Sequence, residues 1–93
     1  MLENQINNDL RKAVDKFLEA KIDTKSMAFY SKSYANHLKE MLKSKSVFNS
    51  DIELQAMYVY NNIKNWKHKD AKFIRGTFKQ YFEYMKENDN GNY

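Results

Sequence analysis

Proline is absent from this 93-residue chain, and glycine occurs only at Gly76 and Gly91. A β-rich domain of this length must reverse direction several times, and tight turns draw on Gly, Pro and Asn-Gly pairs at fixed positions. The one Asn-Gly pair, Asn90–Gly91, lies too near the C-terminus to join two strands. Helix is therefore the default along the whole chain, and the spacing of the apolar residues agrees with it.

Four amphipathic segments can be drawn. The first runs from about Asn4 to Ala20, with Ile6, Leu10, Val14 and Phe17/Leu18 stepping by three and four. A break at Ile22–Asp23–Thr24 follows, where Asp23 or Thr24 can cap the free N–H groups of a second helix. The apolar stripe of that helix is Met27, Tyr30, Tyr34, Leu38 and Met41/Leu42. The third segment starts after Asn49–Ser50, two good caps, with Asp51 and Glu53 near the positive end of the helix dipole. Its stripe is Ile52, Ala56, Val59, Ile63 and Trp66, and Val47 and Phe48 ahead of it are expected to tuck into the core. The fourth begins near Lys69–Asp70 and carries Ala71, Ile74, Phe78, Tyr81/Phe82 and Met85. Short links favour antiparallel neighbours, so the expected fold is all-α, a compact four-helix bundle over residues 1–88 with a polar tail or linker at 89–93. Phe17, Tyr34, Phe78 and Phe82 are assigned to the core. Tyr30, Tyr58, Tyr60 and Tyr84 are left for the rim or the surface. Gly76, in the middle of the fourth helix, is read as a place where another helix comes close.

Composition narrows the class. The apolar share is 42% and the charged share 30%, values of an ordinary globular domain. The chain has no cysteine, which rules out disulfides and thiolate metal sites and suits a reducing compartment. Neither an 18-residue apolar run nor a signal-like N-terminus is present, so a cytoplasmic protein without a membrane span is expected. His37 and His68 stand far apart, with no clustered ligands beside them. No glycine-rich loop, serine elbow or metal-binding carboxylate motif occurs. Glu83 and Glu87 fit a solvated helical face. An enzyme is not expected, nor a cofactor or a small-molecule substrate.

The net charge of +4 is unevenly distributed. Residues 24–46 sum to +4 and residues 64–79 to +5, and the three other stretches are slightly negative. On the second helix Lys25, Lys32, Lys39 and Lys43 step by seven, seven and four, away from the tyrosine stripe. On the fourth, Lys69, Lys72, Arg75 and Lys79 step by three, three and four. Rows of this kind are the footprint of helices set against phosphates, although a solvated Lys-rich face has the same pattern. Ser26, Ser33 and Thr77 could add short hydroxyl contacts to a nucleic-acid backbone. The candidate DNA-binding residues are accordingly Lys25, Lys32, Lys39, Lys69, Lys72, Arg75 and Lys79.

Two stretches carry a family resemblance. Phe17-Leu18-Glu19-Ala20, then Asp23-Thr24-Lys25-Ser26, then Tyr30 and Tyr34 leading to Leu38 form the first. The second is the run from Lys72 to Asn88, in which Lys72, Arg75 and Lys79 precede Tyr81-Phe82 and a Lys/Glu/Asn ending. Together they resemble the SAM-like N-terminal core-binding domain of tyrosine recombinases and phage integrases, over about Ala13 to Asn88. The resemblance implies a DNA-binding module whose second and fourth helices face double-stranded DNA as half of a clamp. Catalysis in that family belongs to a separate domain that follows this one, and Tyr93, on a polar tail, does not match its nucleophile. The alternative is a freestanding helical protein, phage- or plasmid-encoded, that binds and modulates a host protein through a Tyr- and Met-rich surface.

Overall fold

The computed structural model describes residues 2–44 and 47–90, with side chains over 5–44 and 47–87. Four α-helices account for most of them: α1 Leu2–Glu19, α2 Met27–Lys43, α3 Asn49–Ile63 and α4 Ala71–Asn90. No strand occurs among the described residues. Helices α1/α2, α2/α3, α3/α4 and α4/α1 pack as neighbours, and the short links turn the chain back after each helix. The result is a four-helix bundle with extents of 42 × 23 × 19 Å. Helix α4 continues to Asn90, so positions 89 and 90, expected in the tail, are helical. Tyr93 lies outside the described residues.

Local chemistry sets the helix starts. Ser26, rather than Asp23 or Thr24, is the N-cap of α2, and its hydroxyl accepts from the Ala28 N–H at 3.1 Å. Asp23 instead shapes the approach, its carboxylate accepting from the Lys25 N–H at 2.9 Å and its carbonyl from the Ser26 N–H. Asn49 and Ser50 are already inside the first turn of α3, because Phe48 holds the cap position with no side-chain bond. At the start of α4 the Asp70 N–H donates to Nδ1 of His68 at 3.1 Å, and His68 stacks flat on Trp66.

The buried faces of α1, α3 and α4 follow the expected stripes: Leu10, Val14 and Phe17; Ile52, Ala56, Val59 and Ile63; Ala71, Ile74, Phe78, Tyr81 and Met85. Phe17 meets Trp66 edge-on at 5.2 Å, which locks the end of α1 to the link after α3.

Helix α2 differs from its expected stripe. Its buried residues are Ala28, Ser31, Ala35 and Leu38, one position on from Met27, Tyr30 and Tyr34, which are exposed. The physical reason is proximity. Small side chains let α2 lie close to α1 and α3, where a row of tyrosines would hold it off. The buried Ser31 hydroxyl confirms the close approach by donating to the Val59 carbonyl of α3 at 3.0 Å. Tyr34, assigned to the core from its spacing, packs its ring on Tyr58 at the bundle surface.

Two smaller expectations are also corrected. Val47 is partly buried, but Phe48 projects outward with 75% of its surface exposed, because the cap position points it away from the core. No helix presses on Gly76: a Cβ built there meets nothing within 4 Å. Replacing Gly76 by alanine should therefore stabilise the protein, by about 0.5–1 kcal/mol, since only the entropic penalty of glycine in a helix is removed. Urea denaturation of Gly76→Ala checks this; a lower midpoint at unchanged slope would show that the site is not open.

Candidate functional site

The seven candidate cations separate into two groups. Lys32, Lys39 and Arg75 are engaged inside the fold. Lys32 Nζ donates to the carbonyls of Leu18 (3.3 Å) and Ala20 (2.8 Å), and so closes the C-terminal end of α1. Lys39 Nζ pairs with the Asp15 carboxylate of α1 at 2.8 Å. Arg75 Nη1 donates to the carbonyls of Ile63 (3.2 Å) and Trp66 (2.7 Å), and closes the end of α3. The last turn of a helix has carbonyls without intrahelical partners and a partial negative charge, so a cation there is stabilising.

The rotation of α2 explains the inward turn of its lysines. At about 100° per residue, Lys32 and Lys39 on one side and the tyrosine row on the other flank the Ala28–Ser31–Ala35 stripe. With the tyrosines leaning towards α3, the lysines lean towards α1.

Lys25, Lys69, Lys72 and Lys79 are exposed. The first three lie at the same end of the bundle, where the α1–α2 and α3–α4 links come together. Lys79 lies two turns further along α4. A shallow recess of about 410 Å³ between the two links is lined by Lys16, Glu19, Lys21, His68, Lys69 and Asp70. A second, of about 280 Å³, is lined by residues of both links, among them Lys21, Asn65, Trp66 and Lys67.

This end collects four lysines that were not among the candidates: Lys16, Lys21, Lys64 and Lys67, all exposed. Segments 16–25 and 64–72 together contain seven lysines against Glu19, Asp23 and Asp70. Their net charge of +4 equals that of the entire chain, so the remainder sums to zero. Among the described residues, none of these seven ammonium groups has a carboxylate oxygen within 4.0 Å. Lys16 lies over the exposed ring of Phe73 at 5.7 Å, which ties the flank of α1 to the first turns of α4. Lys16 and Lys21 belong to an N-terminal stretch with negative net charge, so block-by-block counting passes over them. Lys64 and Lys67 fall outside the helical row that begins at Lys69. The signal that finds them is the facing of two interhelix links across an up-down bundle.

Among the described residues no helix is long and apolar enough to cross a membrane. Comparison with protein-family models, with curated proteins and with solved structures finds no match to this chain.

The two groups of cations should separate in stability measurements. Arg75→Met leaves two carbonyls at the end of α3 without their charged donor and should cost about 1–2 kcal/mol. Lys79→Met, on the exposed face of α4, should stay within about 0.5 kcal/mol of the parent protein. Equal effects in chemical denaturation would contradict the structural role assigned to Arg75.

Proposed function

We propose that this protein is a non-catalytic DNA-binding module that sets the basic end of its bundle against the phosphate backbone. The observation that carries the reading is the convergence of seven exposed lysines on the two facing links, with the whole net charge of the chain at one end. A concentrated field of one sign raises the local concentration of polyanions and gives affinity through release of condensed counterions. The N-termini of α2 and α4 open at the same end, so their N–H groups add to the positive potential. The contact surface differs from the helical rows expected from spacing, because Lys32, Lys39 and Arg75 are held by internal partners.

Within this reading, the core-binding domain of a tyrosine recombinase or phage integrase is the family we propose. What supports it is the four-helix, basic architecture together with the residue patterns at Phe17–Leu38 and Lys72–Asn88. A catalytic domain would then be supplied by a separate segment.

Fluorescence anisotropy with a labelled duplex of about 20 base pairs tests the proposal. An interface that neutralises about four phosphates should lose roughly 100-fold in affinity between 50 and 200 mM salt. The pair Lys67→Glu and Lys69→Glu should weaken binding by at least about tenfold, because each reversal replaces a phosphate contact with a repulsion. Absence of binding at 50 mM salt, or binding indifferent to salt, would overturn the reading.

A further inference from the structure

Gly76 weakens α4, and no contact inside the fold requires it. A glycine within a helix is less favourable than alanine, because its backbone loses more freedom on folding. Its φ is not positive, and a Cβ built on it meets nothing within 4 Å, so neither backbone geometry nor a neighbouring helix calls for it.

The position is the crown of the exposed face of α4. Gly76 is two residues from Ile74 and two from Phe78, both fully buried, which puts it about 160° around the helix from each. Its neighbours one turn to either side are Lys72 and Phe73, then Lys79 and Gln80, and all four are exposed. These side chains surround a gap in the helix surface where the backbone itself can be reached. Phe73 stands 58% exposed beside the gap, with the Lys16 ammonium of α1 5.7 Å from its ring centre.

Charge indicates what fits the gap. Helix α4 has no carboxylate before Glu83. Among the described residues, none of Lys16, Lys72 and Lys79 has a carboxylate oxygen within 4.0 Å. The strip ends at Glu83 and at Asp9, which lies seven residues before Lys16 and so on the same side of α1. At its other end it runs without a break into Lys69 and the basic end of the bundle. Lys72 and Lys79 are about 10 Å apart along the axis, on either side of Gly76. A duplex offers a phosphate about every 3.4 Å of axis on each strand, so both lysines can find one. A protein helix set closely on Gly76 would need apolar side chains around the gap, and only Phe73 supplies one.

We infer that Gly76 is a close-approach position for duplex DNA. One strand's sugar–phosphate backbone crosses α4 over the missing side chain, held by Lys72 and Lys79, with deoxyribose against Phe73. The inference rests on the phosphate-binding reading of the basic end and adds the line along which the duplex leaves it.

Duplex anisotropy titrations of Gly76→Ala and Gly76→Leu test it. A side chain growing from the crown lifts the strand off the two lysines, so affinity should fall stepwise: about threefold for alanine, and about tenfold or more for leucine, the loss of one charge-assisted contact. Both variants should melt above the parent protein, because alanine and leucine are better helix formers than glycine. A weaker fold therefore cannot account for weaker binding. Lys79→Met, beyond the basic end, should lower the salt slope by about one. If the parent binds duplex with steep salt dependence but Gly76→Leu binds as tightly, this inference fails and the basic-end reading stands. If the parent binds no duplex, both fail. A dimer that dissociates in Gly76→Leu, with duplex affinity unmoved, assigns the gap to a protein contact and overturns the inference.

Discussion

The close approach of α2 to its two neighbours governs the arrangement of everything else on this molecule. Ala28, Ser31 and Ala35 form the strip that makes it possible, and the Ser31 hydroxyl bonded to the Val59 carbonyl marks how near α2 and α3 lie. Once this strip faces inward, helical geometry leaves no freedom for the flanks. The tyrosines must emerge on the α3 side, and the lysines must turn towards α1. Lys32 then reaches the last carbonyls of α1, and Lys39 reaches Asp15.

The ends of the helices show a related economy. At the basic end the C-termini of α1 and α3 would present unpaired carbonyls, whose partial negative charge opposes binding of an anion. Lys32 covers the first and Arg75 the second. Two cations are therefore placed where they cancel the unfavourable helix ends, and the lysines of the links stay directed at solvent. Beneath the links Phe17 meets Trp66 edge-on and His68 stacks on Trp66, which gives the links a rigid base. The stiffness matters for the proposed contact. Lysines on ordered links lose less conformational freedom on binding than lysines on a loose loop.

Much of the fold was legible beforehand. The stripes of α3 and α4 combine large apolar residues at strict helical spacing with polar residues elsewhere, so only one face of each can be buried. In α2 two candidate faces compete, one with Met27, Tyr30 and Tyr34 and one with Ala28, Ser31 and Ala35. Hydrophobicity favours the first, whereas interhelix distance selects the second, and distance is not encoded in the periodicity of one helix. Gly76 was misread for the same reason: a missing Cβ signals close approach of a helix only when one is present, and the fold supplies none.

The candidate site was legible in kind but not in place. From the sequence alone came a proline-free, helical, basic chain, because those properties are local or additive. Which lysines share a surface is neither. Lys16 and Lys21 are separated from Lys64, Lys67 and Lys69 by more than 40 residues and sit in a stretch of opposite net sign. Only packing α1 beside α4 and turning the chain back after each helix sets them side by side. The tertiary structure also decided that Lys32, Lys39 and Arg75 hold helices together, because a long side chain binds whichever acceptor the fold brings within its reach.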